Sequence, residues 1–333
     1  MAFFITGGAG YLGQHIIQNL RGMGQQVTAL VLPGDQAAEH LPEGVQILSG
    51  DLLNQADVEH FFMEAAKQQA TIIHCAAMIS IAWKVEEKVH RINVEGTRNV
   101  VEGCSKHHLR LIHVASVHAI PEKPKGQVME EISAFDPRLV VGGYAKTKAE
   151  AAALVVDAVF NRGLDAAMVF PSGIFGPGAF AGNSLTQMMR EYLRGKLPAG
   201  MQGGYNFVDV RDCAQAISSL AMRPDKKGGY LLGGHYFTIR QFFDAIARHA
   251  GAGVKPVRLM VPSWLAYLSV PFFTLRYKLK GETPVYTRYA IYTLTRNAEF
   301  SNEKARKELG FSPRPMDDTV RDMVIWMREA NMV

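Results

Sequence analysis

The feature that most constrains this chain is a glycine-rich turn set between an apolar run and an amphipathic segment close to its start. Ala2-Phe3-Phe4-Ile5-Thr6 suits a buried strand, and residues 10–22 carry a helical pattern. Between them, Gly8, Gly10 and Gly13 satisfy G-x-G-x-x-G, while Gly7, Gly10 and Gly13 fit a shifted register of the same strand–turn–helix. Missing Cβ atoms let a backbone turn tightly and approach a pyrophosphate, whose charge is favoured by unpaired N–H groups at the next helix's start. A glycine cluster alone is an ordinary turn. Flanked by a strand and a helix, it predicts a dinucleotide site.

The first half continues in the same rhythm. Apolar runs at 27–32, 45–48, 71–76 and 111–116 alternate with helical patterns at 54–67 and 82–106. Such alternation predicts a parallel sheet with helices on both faces, and right-handed crossovers then bring the strand C-termini to one ligand-binding edge. A long Ala-rich helix is predicted at 143–161, followed by a strand at 165–170 and the loop Pro171-Ser172-Gly173-Ile174-Phe175-Gly176-Pro177-Gly178. Beyond residue 172 the alternation breaks down. Helical patterns at 184–194, 210–222, 239–250 and 316–330 predict a mostly helical lobe over the sheet edge.

The bulk numbers narrow the class of partner. Lys and Arg total 36 against 31 Asp and Glu, so the net charge of +5 is modest, and the bases form no run. Nucleic acid is not an expected partner. Cys75, Cys104 and Cys213 lack the spacings of zinc or redox motifs, which predicts no structural metal and a reducing, cytoplasmic setting. No signal peptide is read at the start. Residues 258–275 come closest to a membrane span but are broken by Arg258, Pro262, Ser263 and Pro271. A helix at the surface or the substrate entrance stays open, and with it peripheral membrane contact.

Tyr144 and Lys148 lie four apart at the start of the 143–161 helix, which stacks them on one face. An ammonium beside a phenol lowers the phenol's pKa and makes it a workable acid/base for a carbonyl or alcohol oxygen. Ser116, directly after the strand Leu111–Ala115, falls at the same sheet edge, where its hydroxyl can donate to an oxygen on which charge develops. His74, His113 and His118 lie near strand ends, match no metal spacing, and read as core or loop histidines. Met188 and Met189, with Trp264, Phe272 and Phe273, fit either an apolar substrate pocket or plain helix packing.

Taken in order, TGGAGYLG, SGDL at 49–52, HCAA at 74–77, NVEGT at 93–97, Ser116 and YAKTK at 144–148 resemble the extended short-chain dehydrogenase/reductase family. FPSGIFGPG, FVDVRDCA and FSNEKARKELGF look like its later landmarks, so the resemblance spans nearly the whole chain. It implies an α/β Rossmann fold, a doubly wound parallel sheet over residues 1–171. A smaller, mostly helical substrate lobe over 172–333 would return some chain to the core. It also implies that Tyr144 transfers the proton, Ser116 polarises the substrate oxygen, and Lys148 holds the nicotinamide ribose while lowering the Tyr144 pKa. Asn93 would support a water relay, although a helix-interior residue bonding to backbone fits it nearly as well.

The expected cofactor contacts are Gly7, Gly10, Tyr11, Leu12, Gly13, Leu32, Asp51, Leu52, Ala76, Tyr144, Lys148, Pro171 and Ser172. Between Gly22 and Ala66 there is no Lys or Arg to take a 2′-phosphate, which favours NAD without excluding NADP. Asp35 stands slightly late for the usual ribose-binding acid, and Asp51 reads either as an adenine contact or as a helix cap. For the reaction, the family's dehydratases carry acids where this chain has Val117 and His118, which disfavours elimination. A nucleotide-sugar epimerase remains, with Arg190, Arg194, Lys196 and Arg211 as candidate pyrophosphate ligands, and so does a non-catalytic cofactor-binding regulator. The favoured reading is reversible hydride transfer to a hydrophobic small molecule. The family also suggests a homodimer through the helices at 82–106 and 143–161.

Overall fold

A computed structural model describes residues 1–178, 184–197, 199–251, 254, 256–257, 259–280 and 286–333. Arg258, one of the predicted interruptions of the apolar run, lies outside the described residues. In chain order the first half gives β1 (Ala2–Thr6), α1 (Tyr11–Gly22), β2 (Gln26–Val31), β3 (Gln46–Ser49), α2 (Gln55–Lys67), β4 (Thr71–His74), α3 (Glu87–His90), α4 (Gly96–His107), β5 (Leu111–Val114), α5 (Gly143–Arg162) and β6 (Ala166–Pro171). The second half gives β7 (Gly173–Phe175), α6 (Ser184–Leu193), β8 (Ala199–Met201), β9 (Gly204–Asp209), α7 (Val210–Ala221) and β10 (Gly228–Leu232). It continues with β11 (His235–Thr238), α8 (Ile239–Ala250), β12 (Leu259–Val261), α9 (Ser263–Lys280), α10 (Arg288–Thr295), α11 (Glu303–Leu309) and α12 (Met316–Glu329).

Seven strands form one parallel sheet in the order β10-β6-β5-β4-β1-β2-β3. This is the doubly wound Rossmann arrangement, and the order reverses between β1 and β4, where such sheets open their binding crevice. The central strands are apolar on both sides because both sides are covered. Phe4, Ile72 and Leu111 face a cluster built on α2, α4 and α5, while Phe3, Ile5, Ile73 and Ile112 face one built on α1, α7 and α11. Helix α5 is long because its Ala-rich sequence costs little to order, and it stops at Gly163, whose φ of +67° closes the last turn.

The second half is less purely helical than its pattern predicts. The loop 171–178 contains β7, which joins β9 and β11 in a three-stranded sheet, and β8 pairs with β12. Apart from the six-residue β9, these strands have only three or four residues, too little alternation to be read against the helical periods around them. The predicted helix at 82–106 begins only at Glu87 and passes through a π-helical turn, Arg91–Glu95, before α4. Met188 packs against, and Met189 is fully buried in, the core of the second half, whereas Trp264 and Phe272 stand exposed on α9. These side chains therefore do not meet in one pocket. Among the described residues no helix is long and apolar enough to cross a membrane, and no group of His, Cys, Asp and Glu is arranged to hold a metal ion.

Candidate active site

The glycine turn fills the sheet edge beside the switch point. Gly7 holds φ +70°, and a Cβ there would come within 2.6 Å of the Ala76 backbone nitrogen, so the β1 and β4 ends touch only because Gly7 has no side chain. A Cβ at Gly13 would lie 2.2 Å from the Gly7 carbonyl oxygen, whereas one at Gly10 would meet only that same oxygen, at 3.2 Å. Gly13 thus lets α1 pack on the turn, and Gly10 faces open space above it. Helix α1 starts at Gly10 with no side-chain cap and no acid in its first turn, so its leading N–H groups suit the pyrophosphate of a dinucleotide. Tyr11 donates to the Gly176 carbonyl at 2.6 Å, and Leu12 packs into the core behind the turn, so both brace the cradle.

The neighbouring cofactor positions divide by what their side chains already do. Leu32 is 53% exposed just beyond β2, with no cation beside it in the sequence from Gly22 to Ala66. Asp35 caps a short 3-10 turn, its Oδ1 accepting from Ala37 N at 3.0 Å. Asp51 accepts from Leu53 N within its own turn, while Asn54 is the cap of α2, and Leu52 gives its carbonyl to Asn99 Nδ2. Pro171 ends β6 and Ser172 is buried beside it, its backbone N–H donating to the Leu232 carbonyl at 3.3 Å.

Ser116, Tyr144 and Lys148 converge at the ends of β5 and α5. Ser116 caps the 3-10 turn Val117–Ala119, its Oγ accepting from His118 N at 3.2 Å, which leaves its hydroxyl hydrogen free to point to Tyr144. Burial pushes the Tyr144 phenol up to about 12, and the hydrogen bond with Ser116 pulls it the other way. Lys148 is 3% exposed and donates to the Val114 carbonyl at 2.8 Å. Burial brings its ammonium down to about 8, opposed by the Cys75 thiol.

Asn93 sits in the π-helical turn, buried and fully engaged. Its Oδ1 accepts from Met78 N at 2.7 Å, and its Nδ2 donates to Met78 O and to Thr147 Oγ1, each at 3.0 Å. Thr147 Oγ1 donates in turn to the Tyr144 carbonyl at 2.8 Å. Asn93 therefore fastens the chain after β4 to the first turn of α5, and the widened helical turn is what aims it there.

The sequence reading misses the role of His118. Its Nε2 meets the Tyr205 hydroxyl at 3.0 Å, its Nδ1 meets the Tyr289 hydroxyl at 3.2 Å, and its ring stands edge-on to Tyr144 with centroids 5.8 Å apart. Burial lowers its pKa to about 4, so the ring is neutral and one nitrogen donates while the other accepts. Tyr205 and Tyr289 come from β9 and α10, more than eighty residues away, which no local pattern reveals. The one local signal is Gly142-Gly143. A Cβ on the first would strike the Tyr289 ring at 2.1 Å, and one on the second would strike the Lys84 carbonyl oxygen at 2.1 Å. By contrast His74 is a core histidine, held between Thr6 and Thr97, and His113 is buried beside it with neither ring nitrogen hydrogen-bonded.

A doubly wound sheet with an uncapped glycine turn at its switch point, and a serine, tyrosine and lysine gathered at the adjoining edge, defines an NAD(P)-dependent oxidoreductase of the extended short-chain type. The chain belongs to the NAD dependent epimerase/dehydratase family, whose profile matches residues 3–233. It is 28% identical to sterol demethylase protein B of Methylococcus capsulatus over the full length of both chains. It is also 28% identical to 3beta-hydroxysteroid-dehydrogenase/decarboxylase isoform 1 of Arabidopsis thaliana, over 93% of this chain and 75% of that one. Among solved structures it resembles gox2253, with a TM-score of 0.84 at 26% identity over 100% of this chain and 99% of the other. The fold is shared with a UDP-glucose 4-epimerase of Thermus thermophilus solved with NAD, at a TM-score of 0.75 and 22% identity over 99% and 100% of the two chains.

Two consequences concern the cofactor. Gly10→Val should abolish NAD binding in a folded protein, because its branched side chain enters the space above the turn, whereas Gly13→Val should lower the melting temperature because it drives into backbone. Calorimetric titration beside a thermal melt separates the two. NAD should bind more tightly than NADP, since the sequence from Gly22 to Ala66 holds no Lys or Arg, and a clear preference for NADP in parallel titrations would mean that a base elsewhere captures the phosphate.

Proposed function

We propose that the protein interconverts a hydrophobic secondary alcohol, steroid-like or flavonol-like, and the corresponding ketone, with Tyr144 as general acid/base. The observation that carries this reading is the character of the space beside the site. A pocket that takes in His118 and Tyr205, though not Ser116 or Tyr144, is lined mostly by apolar and aromatic residues such as Val117, Ile120, Val140 and Phe300, with Glu122, Thr293, Arg296 and Asn297 as its other polar members. Two of the bases that a sugar-nucleotide pyrophosphate could use are engaged elsewhere, while Arg190 keeps a buried Nε without a hydrogen-bond partner. Arg211 pairs with Asp209 at 2.6 Å and with Asp322 at 2.8 Å, and Arg194 donates to the Met332 carbonyl. The sterol and hydroxysteroid names of the two relatives agree with an apolar substrate.

NAD, held by the glycine turn and by Lys148, supplies the acceptor or donor of hydride. The protein's own residues manage the oxygen. In the reducing direction Tyr144, protonated at neutral pH, gives its proton to the carbonyl oxygen as charge builds there, and Ser116 donates a hydrogen bond to the same atom. In the oxidising direction Tyr144 accepts the alcohol proton, and the Ser116 hydrogen bond and the Lys148 ammonium both favour the phenolate that must form first. Asn93, through Thr147, keeps the first turn of α5 in place.

A panel of hydrophobic alcohols and ketones, run beside nucleotide sugars with cofactor absorbance as readout, tests this function. Turnover of an apolar alcohol or ketone is the expected result. Turnover of nucleotide sugars alone would replace this reading by the epimerase.

A further inference from the structure

Helix α9 is apolar on two opposite faces, and only one of them is covered. Ala266 and Val270 are buried against Met201 and Ile291, and Phe273 packs on Tyr286 with ring centroids 5.1 Å apart. On the other side Trp264, Leu268, Phe272, Leu275 and Leu279 follow one another at intervals of four, four, three and four residues, which is a single stripe along a helix. They are 64%, 70%, 69%, 58% and 79% exposed. A soluble surface rarely leaves so continuous an apolar strip to water, and such strips mark interaction sites.

The charge of the segment indicates what covers the strip. The sequence of α9, Ser263–Lys280, carries Arg276, Lys278 and Lys280 and no Asp or Glu. A second copy of this chain docked two-fold on the stripe would bring this wholly basic segment against itself, like charge facing like, with no acid in the segment to pair. An anionic bilayer surface answers both properties at once, since it takes an apolar strip into the headgroup–acyl boundary and attracts flanking bases. Because no described helix is long and apolar enough to cross a membrane, the fitting mode is for α9 to lie flat on the surface.

We propose that α9 is a membrane-docking helix, which seats the protein on bilayers containing anionic lipid through the stripe from Trp264 to Leu279. The covered face of α9 packs on Ile291 of α10, and Tyr289 of the same helix is bonded to His118 beside Tyr144, so the docking surface lies one helix from the active site. The proposal rests on the stripe and its charge and does not depend on which substrate is turned over.

The full-length protein is mixed with phosphatidylcholine vesicles, or with vesicles to which phosphatidylglycerol is added, and sedimented. Binding to the anionic vesicles should exceed that to phosphatidylcholine at least about tenfold and fall at high salt. Leu268→Glu with Phe272→Glu should remove at least about nine-tenths of it, while NAD affinity and melting temperature stay as in the wild type, since both side chains face solvent. Trp264 gives a readout in the unaltered chain, because its emission should shift to the blue only with anionic vesicles. A wild-type chain that stays in the supernatant, an unshifted spectrum, or equal sedimentation of the double variant would overturn the proposal. So would light scattering that shows a wild-type dimer which the double variant splits, since a second copy would then own the stripe.

Discussion

Tyr144→Phe lowers turnover of the true substrate by roughly a hundredfold or more, the scale of a lost general acid/base, or about 2.7 kcal/mol in the barrier. The substitution keeps the ring and its edge-on contact with His118, and removes only the hydroxyl that shares a hydrogen bond with Ser116. NAD affinity should stay near wild type, because the glycine turn and Lys148 are untouched. Rate and affinity together separate this outcome from general damage, which would move both. If the variant runs at the wild-type rate on that substrate, Tyr144 is not the proton donor.

Lys148→Met should weaken NAD binding by at least about tenfold and lower the rate as well, since the resemblance assigns the ammonium both to the ribose and to the Tyr144 phenolate. A pH dependence sharpens the prediction. With its pKa lowered to about 8, Lys148 is charged below that pH and loses its proton above it. If NAD binds the charged form, the wild-type dissociation constant is flat below about pH 8 and rises by up to about tenfold per unit above it, because binding must then take up a proton. The variant should show no such rise. Stability moves in the opposite sense. Between about pH 8 and the ordinary lysine value of 10.5 the unfolded chain binds more protons than the folded one, so stability gained from this group increases with pH across that window. A dissociation constant that ignores pH from 7 to 9 would detach Lys148 from the cofactor.

What the sequence makes legible follows from how local each signal is. Short apolar runs alternating with amphipathic ones specify a parallel sheet because each element's burial is written in its own residues, and the glycine turn and the Tyr144–Lys148 spacing are equally local. The small sheet of β7, β9 and β11 is not legible, since β7 sits inside a Pro- and Gly-rich loop sequence, and Gly204–Asp209 and His235–Thr238 mix polar with apolar residues instead of forming an apolar run. Distance along the chain hides His118. Its neighbours in sequence mark an ordinary turn after a strand, and only the arrival of Tyr205 and Tyr289 ties both ring nitrogens and sets the ring beside Tyr144. Asn93 shows the reverse case. The motif draws attention to it, and the structure engages its carboxamide with Met78 and Thr147. The stripe on α9 is visible as an apolar run, but whether such a run lies inside or outside depends on what packs against it.

Net hydride transfer between NAD and an apolar alcohol is read out by isotope tracing. An alcohol carrying deuterium on its hydroxyl-bearing carbon is incubated with NAD and the enzyme. NADH should accumulate in step with ketone and carry the deuterium, and Tyr144→Phe should slow this by roughly a hundredfold or more. Return of the deuterium to the same carbon with inverted configuration, with no NADH or ketone accumulating, would contradict net transfer and show an epimerase.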